Sequence, residues 1–256
     1  MKLSISKLKC FESCRFSYKF KYIEKLEPVQ KADALVTGSN YHEKLEQIYK
    51  NGYCTIDDFS IESAMALAYE KYIYPKFKVK AVEEWFEKPF GTGKHILVGR
   101  VDGVAEDGYL VEHKTTGSTN LEEYEYNLMW DEQILGYMLG YGVRKMWYTV
   151  IRKPTIKQKK GETEEEYFDR VCQWYGEDTD SKIRLIEITR TDEEIDEFEK
   201  HLEALADMME KAETEEKYLY RNPLHCNCWG RRCEYSSICL NYDPDVQYVE
   251  FVKEEG

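Results

Sequence analysis

Residues 98–116 of the 256-residue chain are VGRVDGVAEDGYLVEHKTT. Two apolar, alternating segments flank Glu106-Asp107-Gly108, which is a turn sequence typical of a β-hairpin. Asp102 lies near the end of the first predicted strand, and Glu112 and Lys114 are two residues apart on the second. Because side chains alternate along a strand, Glu112 and Lys114 should project from one face, about 7 Å apart.

These three side chains predict a hydrolytic site on the hairpin. Asp102 and Glu112 can hold a divalent cation through oxygen ligands, and Lys114 can position or deprotonate an attacking water. Such a set is suited to hydrolysis of a phosphodiester bond. An isolated Glu-x-Lys is more often an exposed ion pair, and the upstream Asp102 is what favours a site here.

Two predicted helices add polar groups. His42 follows Gly38 by four residues on the first turns of a helix, where the small residue should allow close backbone approach, and its imidazole could add a nitrogen ligand. Gln133 and Tyr137 lie at i and i+4 on a helix predicted from Asn120 to Gly140, so both point from one face. Either side chain could hydrogen-bond a substrate phosphate or the lysine. Each of these signals is weak when taken alone.

The rest of the chain alternates helical and extended patterns, which predicts an α/β fold. A capping box of Thr191 and Glu194 should begin the last long helix. Further helices are predicted in the N-terminal segment and at 37–50 and 61–73. Strands are predicted at 79–90, 95–106, 108–116, 143–151 and 181–189. After Tyr220 the sequence becomes irregular and rich in cysteine.

Composition excludes several classes of protein. Hydrophobic residues make up 42% of the chain and aromatic residues 14%, which is too many for a disordered tail. No apolar run approaches the ~18 residues of a membrane span, and lysines interrupt the first ten residues, where a signal peptide would be apolar. We therefore expect a soluble, cytoplasmic protein.

The net charge of −13 argues at first against a nucleic-acid partner, but the acidity is local. Residues 161–217 hold 21 acidic and 7 basic residues, which leaves 28 acidic and 29 basic residues elsewhere. Residues 144–160 hold seven basic residues and no acidic one. This segment is either a solvated strand edge or a nucleic-acid groove, in which Trp147 and Tyr148 would be exposed to stack on bases. The candidate contacts in the groove are Arg144, Lys145, Arg152, Lys153 and Lys157.

The spacing of the eight cysteines indicates a metal site rather than disulfides. Four of them, Cys226, Cys228, Cys233 and Cys239, fall within fourteen residues, and Cys10 and Cys14 lie near the start. Four thiolates can hold a [4Fe–4S] cluster or a structural zinc, and spacing does not separate the two. Cys54 and Cys172 are expected to be buried thiols, and Cys10 a packed one.

The motifs G-x-x-x-H, G-R-V-D-G, E-x-K and Q-x-x-x-Y, in this order, resemble those of the RecB-like nucleases of the PD-(D/E)XK superfamily, from about Leu3 to Cys239. The resemblance implies a restriction-endonuclease-like core, with a central mixed β-sheet flanked by helices. It further implies that Mg²⁺ or Mn²⁺ binds His42, Asp102, Glu112 and the backbone carbonyl of His113. Lys114 would be the catalytic base or the water-orienting group, with Gln133 and Tyr137 beside it.

Cys14 resembles the N-terminal cysteine of the iron–sulfur members, which include CRISPR-associated exonucleases, the AddB nuclease domain and phage-encoded relatives. This resemblance implies a structural [4Fe–4S] cluster, with zinc as the alternative. Its ligands would be Cys14, Cys226, Cys233 and Cys239, with Cys228 as the alternative to Cys226. The cluster would staple residues 1–30 to residues 221–240 around a 37–220 core, within a single nuclease domain over residues 1–256.

The expected function is that of a Mg²⁺- or Mn²⁺-dependent DNA exonuclease that prefers single-stranded ends. The resemblance places it in recombination, repair or CRISPR adaptation, in a bacterial, archaeal or phage-infected cell. Two alternatives stay open: a nucleic-acid-binding subunit that does not cleave, and a restriction-like endonuclease on duplex DNA. The sequence leaves open the cleavage polarity, the protein partners and the oligomeric state.

Overall fold

The computed structural model of the chain describes residues 1–29, 33–228, 231–241 and 251–253. Its strands are β1 (Lys2–Leu3), β2 (Leu26–Pro28), β3 (Val79–Phe90), β4 (His95–Ala105), β5 (Leu110–Thr116), β6 (Lys145–Arg152), β7 (Ile183–Thr189), β8 (Asn227–Cys228), β9 (Arg231–Arg232) and β10 (Phe251–Lys253). Its α-helices are α1 (Ile5–Ser13), α2 (Arg15–Tyr18), α3 (Asp33–Asn51), α4 (Ile61–Tyr72), α5 (Leu121–Asn127), α6 (Glu132–Tyr141), α7 (Glu164–Gly176), α8 (Asp192–Thr214) and α9 (Ser236–Asn241).

The chain divides into two units, each of which has its own packing. The terminal unit consists of Met1–Ala32, Glu87–Gly99 and Asp196–Gly256. The central unit consists of Asp33–Phe86 and Arg100–Ile195. The expectation of a single nuclease domain over residues 1–256 stays a prediction.

A mixed β-sheet forms the middle of the central unit. Its strand order is β4-β5-β6-β7, and β3 also pairs with β4. β4 runs antiparallel to β5, β5 runs parallel to β6, and β6 runs antiparallel to β7. The parallel pair needs a crossover connection, and α5 and α6 provide it. The predicted α/β fold with a central mixed sheet and flanking helices is therefore confirmed.

Three helices enclose the main hydrophobic core of the central unit. α4 contributes Ala64, Ala66 and Ala68, small buried residues that let α3 and α7 approach closely. The larger buried side chains of this cluster are Tyr41, Leu45, Ile48, Met65, Tyr69, Phe168, Val171 and Tyr175. Burial of one side chain of this size contributes about 1.5–3 kcal/mol to the stability of the fold. The cluster therefore holds α3, which carries His42, firmly in place.

The terminal unit contains a smaller core that joins distant parts of the sequence. β2 pairs antiparallel with β10, with Leu26 opposite Lys253 and Pro28 opposite Phe251. Phe251 stacks on Tyr235, whose hydroxyl donates to the carbonyl of Leu26 at 2.9 Å. The sequence did not predict the short strands β1, β2, β8, β9 or β10. The pairing of β2 with β10 joins residues more than 200 positions apart, and β8 and β9 are a local pair of only two residues each.

The predicted helix from Asn120 to Gly140 is wrong in one respect, since the chain forms two helices there. Asp131 has φ −81° and ψ 107°, which is extended backbone, and its carboxylate accepts the N–H of Gln133 at 2.9 Å. An aspartate in this position caps a new helix instead of continuing the old one. The predicted capping box of α8 is confirmed, with Thr191 and Glu194 exchanging hydrogen bonds of 2.7 and 3.2 Å.

Within the described ranges, no helix combines the length and the apolar character needed to cross a membrane.

Candidate active site

The hairpin of β4 and β5 brings Asp102 and Glu112 together. The described register of these strands covers Gly103 opposite Val111 and Val104 opposite Leu110, directly beside the two acids. Beyond this point the backbone N–H of His113 donates to Oδ2 of Asp102 at 2.8 Å. The carboxylate of Asp102 is thus held against the backbone of β5, next to Glu112. The sequence predicted that these two acids lie close together.

Glu112 is the most enclosed acid of the site. Its side chain is 2% exposed, and its Oε1 accepts hydrogen bonds from Lys114 and, at 3.2 Å, from Gln133 Nε2. The same amide nitrogen donates to the Tyr137 hydroxyl at 2.8 Å. α6 therefore brings Gln133 and Tyr137 to the Glu112–Lys114 pair, which agrees with the predicted face of that helix.

His42 reaches the same place from α3. Its Nδ1 lies 3.5 Å from Oδ1 of Asp102. Burial, together with the positive charge of Lys114, lowers the pKa of His42, so the neutral imidazole is favoured and can act as a nitrogen ligand. The expected role of Gly38 is wrong, because a Cβ at that position would meet no atom within 4 Å.

The side chain of His113 serves a structural purpose on the opposite face of β5. Its Nε2 lies 2.8 Å from the Tyr49 hydroxyl, and its Nδ1 lies 2.5 Å from Oγ1 of Thr149. Burial lowers the pKa of His113 well below its usual value, so the ring is neutral. The predicted ligand at this position is the backbone carbonyl and not the imidazole, and the ring contacts fix that stretch of backbone.

Burial dominates the electrostatics of the two acids. It raises the pKa of Asp102 to about 6, although Lys114 opposes the shift. Burial and the nearby charge of Asp102 raise the pKa of Glu112 to about 7. Burial lowers the pKa of Lys114, but Glu112 and Asp102 more than compensate and raise it above its usual value. Two neighbouring acids with raised pKa values are typical of a functional site.

The donor atoms present fit a divalent cation. Oε2 of Glu112 is buried and has no hydrogen-bond partner in the described part of the chain. One nitrogen of His42 and one carboxylate oxygen each from Glu83 and Asp102 lie within 4.8 Å of one another. A buried carboxylate oxygen without a partner is costly unless a proton or a cation satisfies it. Oxygen donors with one imidazole suit Mg²⁺ or Mn²⁺.

A second group of predicted ligands meets in the terminal unit. One cavity of about 410 Å³ is lined by the thiols of Cys14, Cys226, Cys233 and Cys239, together with apolar and basic side chains. Burial raises the pKa of Cys14, but the backbone N–H groups of Asn222, Ser17 and Phe16 outweigh it and lower the pKa. Arg221 Nε donates to the sulfur of Cys239 at 3.2 Å. The donors around Cys14 favour its thiolate, whereas burial and the neighbouring cysteines raise the pKa of Cys226.

The other cysteines differ from these four. Cys10 lies outside this cavity, and burial raises the pKa of its thiol to about 11, in agreement with a packed thiol. Cys54 is buried and Cys172 is partly buried. The side chain of Cys228 lies outside the described residues, so the choice between Cys226 and Cys228 stays a prediction.

The five predicted nucleic-acid contacts do not form one group. Arg144 and Lys145 lie at the start of β6 and pair with Asp192 at 2.6 Å and Glu187 at 3.2 Å. Arg152 is the last residue of that strand, and Lys153 and Lys157 follow it. Seven strand residues at roughly 3.3 Å each separate Lys145 from Arg152 by about 23 Å.

Arg152 and Lys153 lie at the end of β6, beside Thr116, the last residue of β5. Arg152 is in register with Thr116, two residues after Lys114, and the N–H of Lys153 donates to the carbonyl of Thr116 at 2.7 Å. Lys157 lies further along the loop and is exposed. Of the basic segment, Arg152 and Lys153 are therefore the residues closest in register to Lys114.

The expected stacking role of Trp147 and Tyr148 is wrong. Tyr148 is 1% exposed, and its hydroxyl lies 3.3 Å from that of Tyr124. Trp147 packs against Phe77 and Tyr109, and its Nε1 donates to Asp107 at 2.9 Å. Exposed aromatic side chains of the central unit are found elsewhere, with Trp85 and Trp130 each 70% exposed.

Comparison with known families decides the affiliation. Residues 2–240 match the PD-(D/E)XK nuclease superfamily. The chain belongs to this superfamily. The motif order H, D, E-x-K and Q-x-x-x-Y, on which the resemblance rested, thus lies in a PD-(D/E)XK fold. No curated protein matches the chain.

Solved structures similar to this PD-(D/E)XK chain share little sequence with it. A candidate exonuclease from Eubacterium rectale is 13% identical with a TM-score of 0.51, and the match covers 94% of this chain and 93% of that one. The alkaline exonuclease LHK-Exo from Laribacter hongkongensis is 15% identical, with a TM-score of 0.46 and coverages of 84% and 91%. A phage-related exonuclease from Haemophilus somnus 129PT is 16% identical, with a TM-score of 0.41 and coverages of 81% and 92%. The first of these matches shows a shared fold.

Two side chains at this PD-(D/E)XK site were not expected from the sequence. Tyr49 lies seven residues after His42 on α3, and that helical spacing could have indicated it. Glu83 lies beside His42 and Asp102, but nothing in the sequence separates it from its neighbour Glu84. A backbone irregularity at Glu83, which no local pattern predicts, brings it there.

Proposed function

We propose that this chain is a Mg²⁺- or Mn²⁺-dependent deoxyribonuclease that acts as an exonuclease on DNA ends and prefers single-stranded ends. The observation that carries the proposal is the group formed by the buried Glu112 and the partly buried Asp102 and Lys114, in which one Glu112 oxygen has no partner in the described structure. Membership of the PD-(D/E)XK superfamily supports a phosphodiester as the substrate.

The proposed cation ligands are His42, Asp102, Glu112 and the backbone carbonyl of His113. When bound, the cation would stabilise negative charge on the scissile phosphate and increase the acidity of the attacking water. The His113 ring contacts and the Asp102 hydrogen bond hold these donors in place before a substrate arrives. Such preorganisation reduces the reorganisation that the reaction itself requires.

Lys114 is proposed to orient the water and to neutralise charge on the phosphate. Its raised pKa keeps it cationic beside Glu112. In the reaction, the water oxygen bonds to phosphorus as the bond to the departing sugar oxygen breaks. The water loses a proton and the sugar oxygen gains one. Gln133 and Tyr137 hold the Glu112–Lys114 pair from α6 and are proposed to act as positioning residues.

The preference for ends is proposed from the resemblance to RecB-like exonucleases, and the similar E. rectale structure is also named as a candidate exonuclease. Linear and covalently closed DNA test this part of the proposal. The purified protein is incubated with end-labelled single-stranded DNA, end-labelled duplex and closed circular DNA, with Mg²⁺ or Mn²⁺. Release of mononucleotides or short products from linear strands, fastest for single strands, with intact circles, is expected.

Two other results of that experiment would contradict the proposal. Linearised circles would show an endonuclease. Tight DNA binding without cleavage in any divalent metal would show a binding subunit of a recombination, repair or CRISPR-adaptation complex. The dependence of binding on salt provides a control, since phosphate contacts weaken as salt rises.

We further propose that Cys14, Cys226, Cys233 and Cys239 bind a structural [4Fe–4S] cluster. The shared cavity of about 410 Å³ supports this proposal. Four thiolates can hold a [4Fe–4S] cluster or a zinc ion, and the resemblance of Cys14 to the N-terminal cysteine of the iron–sulfur nucleases favours the cluster. Such a cluster would link residue 14 to residue 239 and reduce the conformational freedom of the unfolded chain.

Anaerobic purification tests the cluster directly. A brown protein with about four iron and four sulfide per chain is expected. A colourless protein that holds zinc and still cleaves DNA would contradict the cluster and leave the nuclease proposal intact.

A further inference from the structure

Glu83 has an unusual backbone conformation in the middle of a strand. It lies in β3, yet its φ is +55°, which is the left-handed region that non-glycine residues rarely occupy. A residue of this kind within a strand interrupts the regular alternation and turns its side chain to a new direction, often next to an active site. The neighbouring Glu84 is exposed, whereas Glu83 is partly buried.

The new direction brings Glu83 to the proposed cation site. A carboxylate oxygen of Glu83 lies within 4.8 Å of ligand atoms of both His42 and Asp102. These three residues line one small cavity of about 10 Å³, which Tyr49 and His113 also line. A cavity of this size holds about one water or one ion. The described geometry therefore places three donor groups around a space that fits a single ion.

Arg100 holds the Glu83 side chain in this position. Its Nε donates to Oε2 of Glu83 at 2.7 Å, and its guanidinium lies 5.5 Å from the ring of the exposed Trp85. A carboxylate has two oxygens, so Glu83 can accept Arg100 through one and bind a cation through the other. Metal-binding carboxylates are commonly oriented by a hydrogen bond of this kind.

A second observation, at the acid next to Asp102 on the hairpin, also points to a cation. Glu112 Oε2 is buried and without a partner among the described residues. A site with Asp102 and Glu112 alone offers two negative charges, and Glu83 adds a third. Affinity for a divalent cation rises with the number of charged oxygen ligands.

From these observations, we infer that Glu83 is a third carboxylate ligand of the divalent cation, held for this purpose by Arg100. The inference rests on the proposed function, because the cation is that of the proposed nuclease. Loss of the Glu83 charge should weaken cation binding without dismantling the site, since His42, Asp102 and Glu112 stay in place.

Direct titration of Mn²⁺ into the protein without DNA, followed by electron paramagnetic resonance or calorimetry, tests the inference. Glu83→Gln keeps the shape of the side chain and should raise the Kd for Mn²⁺ by about ten-fold or more. Glu84→Gln removes the same charge from the adjacent exposed position and should leave the Kd within about two-fold, because an exposed surface charge contributes little. Thermal unfolding checks that both variants are folded.

Asp102→Asn separates failure of the inference from failure of the proposed function. If Asp102→Asn abolishes Mn²⁺ binding and Glu83→Gln matches wild type, Glu83 is not a ligand and the proposed function stands. If wild-type protein binds no Mn²⁺, the proposed function fails first. Equal weakening by Glu83→Gln and Glu84→Gln would overturn the inference, because it would show a general effect of charge.

Discussion

The backbone N–H of His113 donates to Oδ2 of Asp102 across 2.8 Å. This hydrogen bond joins β4 to β5 directly beside the residue pairs Gly103–Val111 and Val104–Leu110 of the described register. One carboxylate is thereby fixed against the strand that carries Glu112 and Lys114. The hydrogen bond and the strand pairing together hold Asp102 next to Glu112.

The pKa values of the two acids predict how the cation should stabilise the protein at different pH. Folding raises the pKa of Asp102 from 3.8 to about 6 and that of Glu112 from 4.5 to about 7. Their contribution to the free energy of unfolding is thus fully present below about pH 4 and is lost as pH rises through 6 to 7. Mn²⁺ displaces the protons, so the increase in Tm on adding Mn²⁺ should grow between about pH 5 and 8.

Thermal unfolding with and without Mn²⁺ across this range measures the effect. Asp102→Asn and Glu112→Gln should remove most of the Mn²⁺-dependent increase. An increase that is the same at every pH, or that survives both substitutions, would show that the cation binds elsewhere.

Two glycines predict opposite effects of the same substitution. A Cβ at Gly140 would overlap the ring of Phe86, whereas a Cβ at Gly38 would meet nothing within 4 Å. Gly140→Ala should therefore destabilise the protein by about 1–3 kcal/mol through overpacking and should displace α6 with Gln133 and Tyr137. Gly38→Ala should be neutral or stabilising by up to about 1 kcal/mol, because alanine favours a helix.

Chemical denaturation and DNA cleavage of both glycine variants test this prediction. Gly140→Ala should show reduced cleavage as well as reduced stability. Equal stabilities of the two variants would mean that α6 does not pack on Phe86 as described.

The iron–sulfur proposal predicts that substitution of a ligand cysteine lowers the iron content and that substitution of another cysteine does not. Cys14→Ser, Cys226→Ser, Cys233→Ser and Cys239→Ser should each lose iron and lower the Tm. Cys172→Ser, outside the cavity, should keep the iron content of wild type. Iron per chain, measured on anaerobic preparations, is the readout. Loss of iron in Cys228→Ser with retention in Cys226→Ser would reassign the fourth ligand.

The basic residues 144–160 lie at both ends of β6, and the two ends are expected to contribute unequally to DNA binding. The double variant Arg152→Ala, Lys153→Ala should bind single-stranded DNA more weakly. Its slope of log Kd against log salt should fall by about 0.7 for each phosphate contact that is lost. Arg144→Ala with Lys145→Ala should change it little, since these residues pair with Asp192 and Glu187. A titration series at several salt concentrations measures both. A larger effect of the second pair would contradict the placement.

Much of this site could be predicted from the sequence because its signals are local. The Asp-Gly turn and the strand alternation indicate the β4–β5 hairpin, and i to i+4 spacing pairs Gln133 with Tyr137. Other features depend on contacts between distant residues. The break at Asp131, the burial of Tyr148 and the pairing of β2 with β10 follow from tertiary packing. The Glu83 side chain points toward the site because its backbone has a positive φ, which the sequence does not indicate.

Lys114 offers the most direct test of the central claim, which is metal-dependent DNA hydrolysis at the hairpin. The measurement is the rate of Mn²⁺-dependent cleavage of end-labelled single-stranded DNA by wild type, Lys114→Ala and the control Lys88→Ala, an exposed lysine of β3. Lys114→Ala should lower the rate by roughly 10²–10⁴-fold with unchanged folding, and Lys88→Ala should match wild type. A folded Lys114→Ala protein that cleaves DNA at the wild-type rate would contradict the account.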